Sequence, residues 1–354
     1  MKKKRILVAV LNWGLGHATR CIPLIEALIT KGYEPILASD GAALALLKEE
    51  FPNLVAEDLP SYNIEYSKSP NLLKWKLFLE SPRIIQAIKA EKDHTKLLVE
   101  KYNLNGIISD NRLGVHYKHL KNVFITHQLN VLSGNTTWLS SKLHQNYIMK
   151  FDECWVPDLP GSKNLSGMLG HMRKTPEKVK YIGPLSRFTK ENLPQKYKIM
   201  IILSGPEPQR SFLEKILLKE FRTTTEKTLF VRGVLGEHNP IAEADNTNLI
   251  LKDYILGKEL EDMFNSSETV ICRSGYTSIM DLSKLEKKAF LIPTPGQFEQ
   301  EYLAERLENL GIAPYCRQEN FKISELKRLK RFSGFRDFRF VTDFSSLFTL
   351  FEGK

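Results

Sequence analysis

The stretch that decides the fold is TVICRSGYTSIMD, from Thr269 to Asp281, followed by FLIPTPGQFEQE, from Phe290 to Glu301. In both, an apolar run typical of a buried strand passes through a short turn into a polar stretch typical of a helix start. The first turn is rich in small and hydroxyl-bearing residues, so the backbone N–H groups there suit a phosphate. The second brings amide and carboxylate side chains, which suit sugar hydroxyls. Together they predict a nucleotide-sugar site.

Length and composition indicate a soluble globular protein of two domains. The chain has 354 residues, 42% hydrophobic and 26% charged, whereas single domains usually hold about 100 to 200 residues. No apolar run approaches the ~20 residues of a membrane span. The run Ile6–Leu11 behind the basic N-terminus is too short for a signal peptide. We therefore expect a cytoplasmic protein whose first strand begins there.

Cysteines and net charge limit the function classes further. Cys21, Cys154, Cys272 and Cys316 stand far apart without a CxxC pair, which argues against a structural zinc or a disulfide framework. The formal charge of +10 fits an anionic small ligand, an anionic membrane or nucleic acid. The basic and aromatic stretch Lys322–Arg339 predicts either a solvated helix or a membrane-facing patch, and nucleic-acid binding is not expected.

Short apolar runs alternate with amphipathic stretches in both halves of the chain. Continuous apolar runs are typical of buried parallel strands, so the pattern predicts an α/β protein with two sheets and a cleft between them. The strands expected in the first half are Arg5–Val10, Ile36–Ser39, Gly106–Ser109, Val123–Thr126 and Glu153–Val156. Those expected in the second half are Tyr197–Leu203, Thr228–Val231, Asn248–Leu251, Thr269–Cys272 and Ala289–Ile292.

A polar stretch with prolines separates the two series. It predicts an N-terminal domain over residues 1–185, a linker over 186–196, a second domain over 197–330 and a C-terminal tail or helix over 331–354. The segment Ser69–Glu100 combines apolar residues with lysines. Its pattern fits a helix packed on its own sheet, or an apolar and basic flap that meets lipid or a hydrophobic acceptor.

Polar residues follow the predicted strands of the first half. Gly16 and His17 come after the first strand, where a glycine lets the chain turn sharply beside a helix start and lets the backbone approach a ligand closely. Gly16 is therefore a candidate contact of the donor. A neutral imidazole at His17 suits a general base that takes a proton from an attacking hydroxyl. Asp110 follows another strand of the same sheet and could hold that imidazole in one tautomer. His127 and Asn130 follow a third, and could bind an acceptor hydroxyl.

The second half supplies candidate groups for the donor. Arginines, hydroxyls and glycines that follow strands could meet a diphosphate, a carboxylate one turn into a helix could accept from ribose hydroxyls, and the polar pair of the second stretch could reach a sugar ring. The diphosphate candidates are Ser204, Gly205, Arg210, Arg232, Arg273, Ser274, Gly275, Tyr276 and Thr277. The ribose candidate is Asp281, and the sugar candidates are Gln300 and Glu301.

Several other kinds of chemistry are not supported by the sequence. No Asp-x-Asp pair follows a strand and no His/Asp cluster has ligand spacing, so we expect no divalent metal and no other cofactor. Thr19 stands where GxGxxG needs its third glycine, which disfavours a nicotinamide nucleotide. No Gly-x-Ser-x-Gly elbow and no P-loop lysine are present. Arginines and helix N-termini are expected to stabilise the leaving diphosphate instead.

At these residues the chain resembles the GT-B glycosyltransferases. Among them it is most similar to the family 28-like enzymes, the family of the N-acetylglucosaminyltransferase that makes the lipid-linked peptidoglycan precursor. The resemblance spans Leu7 to about Ala313. It rests on short motifs, namely Gly14-Leu-Gly16-His17, His127-Gln128-Leu-Asn130, Gly183-Pro-Leu-Ser-Arg187, Arg273-Ser-Gly275 through Asp281, and Gln300-Glu301. The chain departs from the family in three places, with Ser204-Gly-Pro-Glu-Pro for a Gly-Gly-Ser loop, Asp281 for a glutamate and Glu301 for a glutamine.

The resemblance implies two Rossmann-like domains facing across a cleft, with C-terminal helices packing back toward the N-terminal domain. It implies transfer of a hexose or N-acetylhexosamine from a nucleotide-diphosphate sugar, by family analogy UDP-linked, to a sugar, glycan or lipid-linked acceptor. Arg187 would then reach phosphate. The apolar and basic segments named above add peripheral contact with the inner face of the membrane as an expectation. The alternatives are a nucleotide-sugar hydrolase or 2-epimerase, and a nucleotide-sugar-binding protein without turnover.

Overall fold

The computed structural model describes residues 3–62, 82–132, 137–205, 207–234, 246–338 and 340–352. The chain forms two compact units. The first consists of Met1–Arg187 together with Phe340–Lys354, and the second of Phe188–Arg339. Part of the segment Ser69–Glu100, residues 69–81, lies outside the described residues.

The first unit is built on a seven-stranded parallel sheet. Its strands are β1 (Arg5–Val10), β2 (Glu34–Ser39), β3 (Ala56–Asp58), β4 (Gly106–Asp110), β5 (Lys121–Ile125), β6 (Glu153–Val156) and β7 (Val179–Tyr181), in the order β3-β2-β1-β4-β5-β6-β7. The helices are α1 (Gly16–Thr30), α2 (Gly41–Glu50), α3 (Pro82–Tyr102) and α4 (Thr137–Ile148). The central strands are buried on both faces because helices cover both sides of a parallel sheet.

The second unit repeats this plan with five parallel strands. They are β8 (Tyr197–Ile202), β9 (Thr228–Val231), β10 (Leu249–Lys252), β11 (Ser267–Cys272) and β12 (Lys288–Leu291), in the order β10-β9-β8-β11-β12. The helices are α5 (Gln209–Phe221), α6 (Gly257–Asn265), α7 (Tyr276–Lys284) and α8 (Phe298–Asn309). Both sheets follow the Rossmann-like order 3-2-1-4-5 at their centre, so the predicted α/β fold with two such domains is confirmed.

Strand order reverses once in each sheet, and this decides where a ligand can enter. In the first sheet the reversal falls between β1 and β4, and in the second between β8 and β11. The loops that leave the two neighbouring strands turn to opposite faces there, which opens a crevice beyond the carboxyl ends of the strands. Residues 11–17 and Asp110 lie at the first reversal, and residues 203–205, 207–209 and 273–277 at the second.

Each of the ten strands predicted from the sequence overlaps an observed strand. The two that the pattern did not indicate are β3 and β7, both three residues long and both at an edge of the first sheet. A short edge strand is only partly buried, so its apolar pattern is weak. In the basic stretch Lys322–Arg339, the structure has a 3₁₀ helix over Ile323–Arg331 whose apolar side chains pack on the second core.

The C-terminal segment packs on the first unit, as the fold prediction expected. Helix α9 (Phe344–Phe348) and the 3₁₀ turn Thr349–Phe351 place two phenylalanines in the core. Lys4 Nζ donates to the Phe351 carbonyl at 3.0 Å, and Tyr33 donates to the Phe348 carbonyl at 3.2 Å. Residues 188–196, which the sequence indicated as part of a linker, belong to the second unit.

Gly106, at the start of β4, makes room for this segment. A Cβ atom there would lie 2.3 Å from the Phe351 ring. We expect Gly106→Ala to lower the free energy of unfolding by about 1–3 kcal/mol, and Phe351→Ala to lower it by about 3–5 kcal/mol through the cavity it leaves. Because the clash disappears with the ring, the double variant should be no less stable than Phe351→Ala alone.

Denaturant unfolding of the four proteins checks this cycle. Strictly additive losses in the double variant would contradict the contact between Gly106 and Phe351.

Candidate functional site

The loop after β1 brings a histidine to the reversal point of the first sheet. Gly14 has φ +71°, a conformation that favours glycine, and helix α1 begins two residues later at Gly16. Thr19 Oγ1 donates to the Gly16 carbonyl at 3.1 Å within the first turn. His17 is therefore held in the first turn of α1, and 13% of its side chain remains exposed.

Asp110 lies beside His17 because its strand is paired with β1. In the parallel register Asp110 is the partner of Val10, and its carbonyl accepts from the Leu11 amide at 3.1 Å. The Asp110 side chain is fully buried, with Oδ1 3.1 Å from His17 Nδ1. The structure thus brings together the two residues that the sequence proposed as base and orienting carboxylate.

Arg20 belongs to the same cluster, although the sequence did not indicate it as a site residue. It lies one turn after His17 on α1, where residues i and i+3 share a face. Its side chain is 1% exposed. Nε donates to Asp110 Oδ2 at 2.8 Å, Nη2 pairs with Oδ1, and Nη2 also lies 2.9 Å from His17 Nδ1. The spacing of three residues placed Arg20 on the same face of α1 as His17. Nothing in the sequence showed that Asp110 would face that side of the helix.

The charges around Asp110 set the protonation states. Burial by itself would raise the pKa of Asp110, but the charge of Arg20 and the hydrogen bonds from His17 and Arg20 outweigh it and hold that pKa well below its usual range. Burial and the Arg20 charge lower the pKa of His17, against the opposite influence of Asp110. His17 is therefore a neutral imidazole at pH 7, the form that can accept a proton.

His127 and Asn130 follow β5, and the structure separates their roles. His127 is 6% exposed, and its Nδ1 lies 3.2 Å from Arg20 Nη1, so it joins the same cluster. Asn130 Nδ2 donates to the Met168 carbonyl at 2.6 Å and to the His171 carbonyl at 3.2 Å. Asn130 therefore fixes a neighbouring loop, and its contact with an acceptor stays a prediction.

In the second unit, the turn between β11 and α7 lies at the reversal of the sheet. Gly275 is the residue before α7, with φ −67° and ψ 142°. A Cβ atom at Gly275 would meet no described atom within 4 Å, so the described fold itself does not require a glycine here. Ser274 is buried and its Oγ donates to the Gln300 carbonyl at 2.8 Å.

The side chains of Gln300 and Glu301 hold the turn that precedes α8. Gln300 Oε1 accepts from the Thr294 amide at 2.9 Å, and Nε2 donates to Gln297 Oε1 at 2.6 Å. Glu301 Oε1 accepts from the Gly296 amide at 2.9 Å. Together with the Ser274 bond they tie this turn to the start of α7, and their contact with a sugar stays a prediction.

Three of the candidate arginines are paired with carboxylates. Arg187 Nη1 lies 3.0 Å from Glu50 Oε1 in the first unit. Arg210 Nη1 lies 2.6 Å from Glu214 Oε2, and Arg232 binds the other oxygen of the same carboxylate. Arg210 also pairs with Glu207, and Arg232 with Asp253. A diphosphate would have to share these arginines with carboxylates, and their contact with phosphate stays a prediction.

Arg273 has a different environment. It is 2% exposed, and its guanidinium donates to the carbonyls of Ile292, Pro293 and Gln209 and to Gln318 Oε1. The described contacts of this guanidinium are thus with neutral carbonyl and amide oxygens. Burial lowers the pKa of Arg273 to about 10, so the group stays charged at pH 7. It ties the residue after β11 to the residues that follow β12.

The remaining donor candidates also lie at the carboxyl edge of the second sheet. Ser204 and Gly205 follow β8, and Gly205 has φ +105°. Gly233, which follows β9, has φ +68°, and a Cβ atom there would lie 2.2 Å from the Leu203 carbonyl oxygen. Asp281 lies in the second turn of α7, near enough to Cys272 that its charge adds to burial in raising the pKa of that thiol to about 12.

Within the described ranges, no group of three His, Cys, Asp or Glu side chains could hold a metal ion. Among the helices of those ranges, none combines the length and the apolar character that crossing a bilayer demands.

Comparison with known proteins points to one class of enzyme. Residues 200–330 match the model of the glycosyltransferase family 28 C-terminal domain. An uncharacterized glycosyltransferase of Methanosarcina acetivorans is 21% identical over 330 residues, which cover 87% of this chain and 84% of the relative. The crystal structure of MurG from Acinetobacter baumannii superposes with a TM-score of 0.60 at 11% identity, covering 99% of each chain.

Another similar protein has a name that specifies an activity. The UDP-N-acetylglucosamine–N-acetylmuramyl-(pentapeptide) pyrophosphoryl-undecaprenol N-acetylglucosamine transferase of Haemophilus ducreyi is 22% identical over 213 residues, or 57% of this chain. The match spans 55% of the length of that relative. Residues 200–330 therefore match a glycosyltransferase family 28 C-terminal domain, and the chain shares its fold with solved glycosyltransferases along nearly its whole length.

Proposed function

We propose that this protein transfers a hexose or N-acetylhexosamine from a UDP-linked sugar to the hydroxyl of a sugar, glycan or lipid-linked acceptor, without a divalent metal. The observation that carries the proposal is Gly275. It opens helix α7 at the reversal of the second sheet, inside the family 28 domain, and no described atom approaches its missing side chain. Such a glycine lets a ligand approach the backbone closely.

The donor's diphosphate is proposed to bind at the start of α7. The amides of the first turn and the helix dipole favour an anion there. Buried Arg273 adds positive charge, and its described contacts are with neutral carbonyl and amide oxygens. Asp281 is proposed to accept from the ribose hydroxyls. This set of fixed dipoles and charges supports leaving-group stabilisation that needs no metal.

The acceptor's hydroxyl is proposed to give its proton to His17. Asp110 lies 3.1 Å from Nδ1, which leaves Nε2 as the basic nitrogen when Nδ1 carries the proton. The lowered pKa of His17 keeps the ring neutral at pH 7. The oxygen of the acceptor then attacks the anomeric carbon, the bond from that carbon to the diphosphate breaks, and the nucleoside diphosphate leaves.

The donor site can be tested by adding a single methyl group at Gly275. We expect Gly275→Ala to keep the thermal stability of the parent, because its φ is ordinary and its Cβ is unopposed, yet to bind UDP at least about tenfold more weakly, a loss of about 1.4 kcal/mol. Calorimetry with UDP in the presence of EDTA measures the affinity.

Gly233→Ala is the matched contrast. Its Cβ would collide with the Leu203 carbonyl, so it should lose about 1–3 kcal/mol of stability before any ligand is added. Unchanged UDP affinity in Gly275→Ala would rule out α7 as the diphosphate site, and UDP binding that disappears with EDTA would rule out metal independence.

The base can be tested by transfer with saturating donor. We expect His17→Gln to lower the rate of nucleoside diphosphate release in the presence of an acceptor panel by about 10² to 10⁴, with UDP affinity unchanged because the diphosphate is proposed to bind at the start of α7. Full transfer rate in His17→Gln would remove it as the base. Release of stoichiometric free sugar in the absence of an acceptor would identify a hydrolase. Binding of donors without turnover of any of them would identify a non-catalytic protein.

Peripheral contact with an anionic membrane is proposed for the face that carries α3 and α4. Both helices pack on one core cluster. They expose Ile85 (52%) and Trp138 (72%), and Lys142 Nζ lies 5.1 Å from the Trp138 ring. Lys92 and Lys150 lie near enough that the Lys92 charge adds to burial in lowering the pKa of Lys150. Exposed aromatic and aliphatic groups beside lysines suit the lipid interface.

Vesicle sedimentation checks this surface. We expect binding to phosphatidylglycerol vesicles that weakens with salt and weakens again in Trp138→Ala. Phe212→Ala, which removes a 47%-exposed aromatic residue from α5 of the second unit, is the control and should bind like the parent. Equal loss in both variants, or no binding at low salt, would contradict the assignment.

A further inference from the structure

Arg20 holds Asp110 in a two-pronged pair that is closed to solvent. Nε and Nη2 of the guanidinium reach the two carboxylate oxygens, and the two side chains are 1% and 0% exposed. Cys21 Sγ donates to Asp110 Oδ2 at 3.2 Å. The carboxylate therefore cannot rotate away from His17 without breaking bonds on both oxygens.

The same guanidinium contacts two histidines. Its Nη2 lies 2.9 Å from His17 Nδ1, and its Nη1 lies 3.2 Å from His127 Nδ1. A guanidinium has no lone pair to offer, so it can donate to an imidazole but never accept its proton. Asp110 Oδ1, at 3.1 Å, is the acceptor that the described structure provides for a proton on His17 Nδ1.

We propose that Arg20 is a positioning residue for the reaction: it fixes Asp110 against His17 and balances the carboxylate's charge, so that His17 stays a neutral imidazole. The inference rests on the proposed function, in which His17 is the base. The inference adds Arg20 to the pair of His17 and Asp110 and gives a role to the guanidinium charge. Without that charge, a carboxylate beside a buried imidazole would favour the imidazolium.

The groups that face His17 come from three elements. Arg20 comes from α1, Asp110 from β4 and His127 from the loop after β5. Arg20 and His127 disfavour the imidazolium, whereas Asp110 favours it. Cys21 faces Asp110, and burial with that carboxylate keeps its pKa well above the usual range, so the thiol is neutral. Removing the guanidinium charge therefore shifts His17 toward protonation, and removing the carboxylate charge shifts it the other way.

The test is an NMR titration of His17 in the full-length protein labelled at histidine, with His17→Gln used to assign the signal. In the parent we expect a pKa below 6.5. Arg20→Gln should raise it by about one unit or more, Asp110→Asn should lower it, and Arg20→Lys, which keeps the charge, should stay closer to the parent than Arg20→Gln does.

A purely structural role for Arg20 gives a different result. If folded Arg20→Gln, checked by the dispersion of its amide spectrum, leaves the His17 pKa unchanged or lower, the proposal is overturned. If that variant does not fold because Asp110 is left unpaired, the comparison moves to Asp110→Asn with and without Arg20→Gln. A higher His17 pKa in the double variant supports the proposal, and equal values overturn it.

The pH profile of kcat/KM for transfer separates this inference from the proposed function. The acid limb of the profile should move to higher pH in Arg20→Gln by the shift that NMR measures, since the protonated ring cannot act as a base. Absence of transfer in the parent would overturn the proposed function, while the titration still decides whether Arg20 sets the charge of His17.

Discussion

The fold depends on the parallel arrangement of strands in both sheets. Parallel sheets are covered by helices on both faces, so the polar groups of this chain that could meet a ligand are placed at the ends of strands. Because the strand order reverses between β1 and β4, and again between β8 and β11, the two loops at each reversal part and leave a crevice. That geometry places His17 and Asp110 at the first reversal, and Gly275 and Ser204 at the second.

The two units handle charge in different ways. In the first, the buried carboxylate of Asp110 is matched by buried Arg20, and the pair together leaves the adjacent imidazole neutral. In the second, Arg210 and Arg232 share Glu214, whereas Arg273 is bound by carbonyl and amide oxygens. The first arrangement suits a proton acceptor that must be uncharged, and the second suits the proposed binding of an anion at the start of α7.

The sequence predicted the strands well because buried parallel strands are continuous apolar runs, as in Thr269–Cys272, and it missed β3 and β7 because short edge strands are only partly buried. It also indicated which loops carry polar groups. It did not show that Gln300 and Glu301 bind the amides of their own turn, or that Arg210 and Arg232 meet one carboxylate. Those contacts join residues whose facing directions no local pattern encodes.

The sequence by itself determined the α/β class, the two series of strands and the chemical nature of the residues that end them, since periodicity and turn chemistry are local properties of the chain. Tertiary structure decided which of those residues meet. Arg20 and Asp110 are 90 positions apart, and only the pairing of β1 with β4 places the carboxylate on the face of α1 that carries both His17 and Arg20. The charge state of His17 is set by that pairing, because desolvation and neighbouring charge act through space rather than along the chain.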